Sequence, residues 1–206
     1  MALDRAVAER LDPLWVERQL DDPASQAVLA SAEGVLITNA RSGSLLLRVP
    51  VPAAANHDAH EPGPVMLGLD DGVALFAIDL DAQPPEMRRR LLGHGRIATL
   101  REAGRMLPPH EAALAAYLVA LLNWHRRHRF CPACGTALTV TDGGFSRTCP
   151  GCGAQHFPRT DPAVIVLVEH DGHALLGRQA GWPPRQYSVL AGFVGPGESL
   201  EEAVIR

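Results

Sequence analysis

The sequence predicts an α+β chain built in parts: an N-terminal mixed α/β domain, a cysteine ribbon, and a second α/β segment beginning near residue 159. Three observations carry this. Short apolar runs joined by turn residues place strands in the first hundred residues, and Asp70-Asp71-Gly72 is the clearest turn, because an Asp-Gly pair accepts the backbone of a tight hairpin. Residues 110–129 carry Leu114, Tyr117, Leu118, Leu121 and Leu122 at three- and four-residue steps, the spacing of one helix face. Cys131-Pro-Ala-Cys134 and Cys149-Pro-Gly-Cys152 bracket a third, hairpin-like pattern. The parts divide as 1–109, a connecting helix 110–129, the ribbon 130–158, and 159–206.

Composition sets bounds. At 206 residues, 47 % apolar and 20 % charged, the chain has the make-up of an ordinary globular protein. Its formal net charge of −4 argues against a general nucleic-acid binder. All 19 basic residues are arginine, which fits a GC-rich genome. No stretch is apolar for long enough to span a bilayer. Asp4, Arg5, Glu9 and Arg10 leave no room for a secretory signal, which points to the cytoplasm. In that compartment four cysteines are more readily metal ligands than disulfides.

The elements follow in order. Gly34–Asn39 and Ser44–Pro50 are apolar runs joined by Ala-Arg-Ser-Gly, a hairpin pattern. Pro52–Pro64 is rich in Ala, Pro, His and Asp and reads as an exposed loop. Val65–Leu69 and Val73–Leu80 are the strands on either side of the Asp-Gly turn. Pro84 and Pro85 open a short helix running to Leu92. Pro108 and Pro109 precede the long helix, where proline is tolerated. His125-Arg126-Arg127-His128-Arg129 closes it; cations there complement the helix dipole, and a phosphate-binding patch is the alternative. Ala163–Val168 is a continuous apolar run, the pattern of a buried strand. His170-Asp171-Gly172-His173 is a turn, and Ala174–Gly177 its hairpin partner.

The cysteines carry the chemistry. Each Cys-x2-Cys knuckle sets two sulfurs on one side of a tight turn, and two facing knuckles supply the four thiolates of a structural zinc site. Gly135 after the first knuckle and Gly151 inside the second are expected to relieve backbone crowding. Thr139-Val140-Thr141, Asp142-Gly143-Gly144 and Phe145 complete a ribbon hairpin. Two disulfides or four free thiols are the alternatives, and the paired spacing favours zinc. Four protein ligands leave no open position, so the metal is expected to hold the fold. A nucleic-acid-binding ribbon is disfavoured because Arg147 is the only cation between the knuckles.

Several segments in fixed order resemble a known family. Gly192, Glu198 and Arg206 match the opening of a Nudix box, Gly-x5-Glu-x7-Arg. Trp124–Gly135, Gly143–Cys149, His156–Pro162 and Tyr187–Val194 are similar to segments that enter, close and follow a zinc ribbon in the NADH pyrophosphatase branch of the Nudix hydrolases. The specific match covers about residues 110–206; the first hundred residues share only its general layout. The resemblance implies that residues 159–206 begin a Nudix α/β/α sandwich, incomplete at Arg206. It implies hydrolysis of NADH or NAD to a nicotinamide mononucleotide and AMP, with Mg²⁺ or Mn²⁺ as catalytic metal and structural Zn²⁺ on Cys131, Cys134, Cys149 and Cys152. NAD-capped RNA is a second implied substrate, and a homodimer the implied assembly. Phe157 and Arg101 fall at substrate-contacting positions, and Ala191 at one whose carbonyl meets a divalent cation; Phe193 is a ring suited to stack on a substrate base or to pack in the core. A helix capped by Ser199 is expected to carry Glu201 and Glu202 in its first turn, with Glu198 bracing against Arg206. Gly195 and Gly144 depart from the family, which often has acidic residues there. The Arg-Glu-x2-Glu-Glu carboxylates and the family's substrate-specificity motif are absent, so residues 1–206 are expected to be inactive alone and to expose apolar strands. The rival readings are a Nudix enzyme acting on ADP-ribose or a nucleoside triphosphate, and a non-catalytic ribbon that binds protein or nucleic acid.

Overall fold

The computed structural model describes residues 3–38, 43–51 and 63–206. The chain forms two compact units, Met1–Pro158 and Arg159–Arg206. In the first, a 3₁₀ turn at Glu9–Leu11 leads into α1 (Pro13–Asp21), whose N-cap Asp12 accepts from the Leu14 amide. Strands β1 (Gln26–Ala30), β2 (Val35–Ile37), β3 (Arg48–Pro50), β4 (Val65–Asp70) and β5 (Val73–Asp79) follow. Then come α2 (Pro85–Leu92), β6 (Arg96–Ala98), α3 (Leu100–Met106) and α4 (Pro109–Arg127). The sheet runs β4-β5-β1-β2-β6, with β3 also on β1 and β1 parallel to β5.

Alternation along these strands divides the core between two faces. Val28, Ala30, Val35, Ile37, Leu75 and Ala77 meet Ala103 and Leu107 of the α3 segment and Leu118, Leu121 and Leu122 of α4. Ala27, Leu29, Leu36, Phe76 and Ile78 meet Val16 of α1 and Leu91 of α2. A sheet covered on both sides needs apolar residues at every position, which is why β1 and β5 read as unbroken runs. The layering is helix, sheet, helix.

Several expectations are met here. Asp70 pairs with Val73 around Asp71-Gly72, both with positive φ (51° and 80°), the turn that matches strand twist. The helix from Pro85 to Leu92 stands as read; the long helix, expected over 110–129, runs Pro109–Arg127, so Pro109 is its first residue and His128 and Arg129 lie beyond its last turn. The 34–50 hairpin is met only in part: Ile37 bridges Leu46, but β3 then leaves to pair with β1. Residues 39–42 of its turn, and 52–62 of the Ala/Pro loop, lie outside the described residues.

The ribbon, β7 (Thr139–Thr141), β8 (Ser146–Thr148) and β9 (Gln155–His156), completes the first unit as a three-stranded antiparallel sheet.

The second unit holds β10 (Ala163–Val166), β11 (Val168–His170), β12 (His173–Leu175), β13 (Leu190–Phe193) and α5 (Leu200–Ile205). β10 pairs antiparallel with β13, and β11 with β12 around Asp171-Gly172. The expected buried strand 163–168 is corrected on two counts. It breaks at Leu167 into two strands of separate ladders, and it is exposed: Ile165 by 71 % and Leu167 by 56 %. Among residues 159–206, α5 is the one helix available to cover these strands, and it is six residues long. No helix among the described residues is long and apolar enough to cross a membrane.

Candidate metal centre and Nudix-box segment

The two cysteine knuckles repeat one backbone design. In the first, the Gly135 amide donates to the Cys131 carbonyl and the Cys131 amide to Thr136; in the second, Gly153 donates to Cys149 and Cys149 to Ala154. Gly135 and Gly153 hold φ of 76° and 74°, where a side chain would be strained. The expected role of Gly151 is therefore corrected: Gly153 makes the turn, and Gly151 lets Thr136 approach, since a Cβ there would lie 2.6 Å from the Thr136 hydroxyl oxygen.

The four sulfurs converge within 4.8 Å of one another. Cys131 and Cys152 are 3.7 Å apart, Cys134 and Cys149 3.4 Å. A tetrahedral zinc with Zn–S bonds of about 2.3 Å requires sulfurs about 3.8 Å apart, so the donor set fits. None of the four is in a disulfide. Their electrostatics ask for a cation. The Thr136 hydroxyl and amide, then Cys149, draw the Cys134 thiol down to about 6. The Ala154 amide would lower Cys152 likewise, but crowding by Cys149, Cys131 and Cys134 wins and pushes it up to about 12. A divalent ion removes that conflict by stabilising all four thiolates.

The ribbon is tied to α4 through a buried network. His125 and Arg147 are fully buried. The Arg147 Nε donates to His125 Nδ1 at 3.1 Å, and His125 Nε2 lies 2.6 Å from the Gly144 carbonyl. Arg147 also reaches the carbonyls of Leu138 and His125. The single cation between the knuckles is thus inside the protein. Arg126, next in the basic run, grips both oxygens of Asp79 at 2.6 and 2.7 Å. The run is therefore more than a dipole complement, and these two members are not a phosphate patch. Gly144 has φ of 94°, and a Cβ there would stand 2.8 Å from Val65 Cγ1. No acidic side chain fits without moving β4.

In the second unit, Arg206 binds Glu198 side-on, Nε to Oε1 at 2.6 Å and Nη2 to Oε2 at 2.9 Å, and donates to the Phe193 carbonyl. Glu198 Oε2 also accepts the Gly195 amide at 2.8 Å. These bonds hold the Glu198 carboxyl down at about 2, Arg206 first and the amide second. Ser199 caps α5 in a reciprocal box with Glu202. Glu198 and Glu202 are thus committed to the backbone and to Arg206. The only metal-competent cluster of three or more His, Cys, Asp or Glu among the described residues is the cysteine set. Among the described residues the carboxylates do not come together as a Mg²⁺ or Mn²⁺ site.

The other expected site residues occupy separate places. Arg101 is exposed in the first turn of α3, and Phe157 is 56 % exposed just after β9. In the second unit, Ala191 pairs with Ile165 within the β10–β13 ladder, and Phe193, at the end of β13, is 72 % exposed.

A helix–sheet–helix layer followed by a tetrathiolate ribbon and a Gly-x5-Glu-x7-Arg loop defines a zinc-ribbon Nudix architecture. Comparison with known proteins agrees. Residues 24–124 match a family model described as the NADH pyrophosphatase-like rudimentary NUDIX domain, and 126–157 match the NADH pyrophosphatase zinc ribbon domain. The chain is 36 % identical to the NAD-capped RNA hydrolase NudC of Mycobacterium tuberculosis strain H37Rv over 214 residues, 99 % of this chain and 64 % of that protein. It is 39 % identical over 144 residues to NudC of Chromobacterium violaceum and 37 % over 140 to NudC of Stutzerimonas stutzeri, covering 52 % and 49 % of those proteins. The chain therefore spans about half to two thirds of the length of these relatives. It belongs to the NADH pyrophosphatase family of Nudix hydrolases. The rudimentary Nudix character of residues 24–124 is new: the sequence reading put Nudix structure only after residue 158.

Proposed function

We propose that the whole protein is a metal-dependent NAD(H) diphosphatase, hydrolysing the pyrophosphate bond to give nicotinamide mononucleotide and AMP, and that NAD-capped RNA is a second substrate. The observation that carries this is the succession of family-specific parts: a rudimentary Nudix domain, its zinc ribbon, then the Glu198–Arg206 brace of the box. The relatives named for NAD-capped RNA support the capped substrate. The exposed Phe193 ring supports a base-stacking role, with Phe157 and Arg101 as further substrate contacts and the Ala191 carbonyl as a metal ligand. The reduced thiols of the ribbon fit a cytoplasmic setting. The homodimer rests on the family resemblance, and sedimentation of the whole protein tests it.

Because Glu198 and Glu202 are otherwise engaged, residues 1–206 alone are proposed to be inactive. Two polypeptides decide the matter: 1–206, and the product of the whole coding sequence. With NADH and Mg²⁺ or Mn²⁺, chromatography should show AMP from the second and none from the first. Metal-dependent AMP release by 1–206 overturns the inactivity; failure of the whole protein on NADH, with turnover of ADP-ribose or a nucleoside triphosphate, moves it to the rival enzyme reading.

A further inference from the structure

The four sulfurs of the ribbon are not equivalent. In each knuckle the first cysteine is buried and the second is exposed: Cys131 is 2 % and Cys149 1 % exposed, whereas Cys134 and Cys152 are open to solvent. The close contacts run across the knuckles. Cys152 faces Cys131 at 3.7 Å, and Cys134 faces Cys149 at 3.4 Å. Each exposed sulfur thus has a buried one beside it. An accessible thiolate and a second thiolate in contact with it are the two parts that reversible thiol oxidation needs.

The two exposed sulfurs also differ from each other. Thr136 turns both its amide and its hydroxyl toward Cys134, the hydroxyl oxygen at 3.3 Å. Cys152 has the Ala154 amide and, among the described residues, no hydroxyl. A donor on a thiolate draws off charge and blunts its attack, so Cys152 is the more reactive of the pair.

We propose that the ribbon is a reversible, peroxide-responsive clamp, in which the tetrathiolate and two cross-knuckle disulfides, Cys131–Cys152 and Cys134–Cys149, replace one another. The Cys152 thiolate attacks one oxygen of hydrogen peroxide, giving a sulfenic acid and hydroxide. The Cys131 thiolate then attacks that sulfur, forming the first disulfide and expelling a second hydroxide. Two protons from solvent turn both hydroxides into water, so two sulfurs give up two electrons to one peroxide. A second peroxide oxidises Cys134 and Cys149 in the same way, and the sulfurs no longer hold a divalent ion. Because both bonds join one knuckle to the other, they close the ribbon where the ion did and keep Arg147 on His125. A dithiol reductant reverses both steps. The clamp lies wholly within Met1–Pro158 and does not depend on the catalytic reading.

Zinc-loaded chain 1–206 treated with hydrogen peroxide tests this. A chromogenic chelator should report one zinc released for every two peroxides consumed. Peptide mapping should find Cys131–Cys152 and Cys134–Cys149, the first ahead of the second in samples quenched early. The β8 amides should stay protected from hydrogen exchange in the oxidised chain, although chelation alone exposes them. Dithiothreitol followed by zinc should restore the starting mass and metal content. Thr136→Val, which keeps the shape and removes the hydroxyl, should speed the appearance of Cys134–Cys149 by about fivefold, the scale of one hydrogen bond. An unchanged rate in that variant overturns the assignment of Cys152 as the first to react. Disulfides within a knuckle, sulfinic acids in place of disulfides, zinc retained under excess peroxide, or β8 amides freed in the oxidised chain would each overturn the clamp itself.

Discussion

His125 has only one tautomer available. The carbonyl of Gly144 can only accept, so Nε2 must donate; the Nε of Arg147 can only donate, so Nδ1 must accept. A proton on Nδ1 would face the guanidinium. Desolvation by burial comes first and Arg147 adds to it, so the imidazole is held down at about 4 despite the Gly144 bond. A base whose folded pKa lies below its unfolded value of 6.5 takes up its proton more readily when unfolded. Stability is therefore full above about pH 6.5 and falls as pH drops toward 4, by up to about 3 kcal/mol. Imidazole ¹⁵N shifts in the zinc-loaded protein should show His125 neutral at pH 5; a charged ring there would contradict the network. At this scale the sequence was legible where a residue type dictates its partner. Four cysteines spaced in pairs announced the metal, and Gly192, Glu198 and Arg206 the brace. The burial of Arg147 was not legible, because nothing local distinguishes a ribbon cation that faces solvent from one that faces His125.

Among the elements, α4 shows how a helix of ordinary composition is fixed in place. At its N-terminal end Glu111, 2 % exposed, accepts from the Leu46 amide and from Arg48, which also pairs with Asp70. Near its other end Arg126 clamps Asp79 at the end of β5. Arg126→Ala strands the buried Asp79 carboxylate and should cost about 3–5 kcal/mol in denaturant unfolding. Asp79→Asn with Arg126→Ala should recover part of the loss; strict additivity of the two would show that the pair does not act as a unit. The long helix and the Asp-Gly hairpin were legible because period and turn chemistry agreed. α1, β1, β6 and α3 were not read. Thr99-Leu-Arg-Glu102 is a capping box that announces α3, and Asp12-Pro13 a cap and first residue that announce α1. β1 had no such marker: after exposed Gln26, the four residues Ala27–Ala30 are all buried against both helical layers and show no alternation.

For the whole molecule, two treatments separate what metal and apolar burial contribute. Structural zinc sites of this type hold about 10–16 kcal/mol of apparent binding energy, more than the small cluster of Cys131, Leu138 and Cys149 can replace. Chelation should therefore release residues 130–157 to fast hydrogen exchange while β1 and β5 amides stay protected. Retained protection in the ribbon would mean that packing, not metal, holds it. The second treatment concerns Ile165, Leu175, Leu176, Phe193 and Ile205, all about half exposed or more in Arg159–Arg206. Light scattering should show 1–158 more soluble than 1–206, with Ile165→Lys closing part of the gap. Equal solubility of the two would show that the apolar strands are harmless. The apolar run 163–168 illustrates the limit of pattern reading: it reports what a strand is suited to, and burial depends on what else is present to cover it.

The first 158 residues bury both faces of their own sheet and supply all four zinc ligands. A ribosome working from the amino terminus can thus release a finished, metallated body while Arg159 is still in the exit tunnel. Metal supply in the cell then acts early in biogenesis: a zinc-starved cell would present quality-control proteases with an unravelled ribbon before any Nudix-box residue had been displayed.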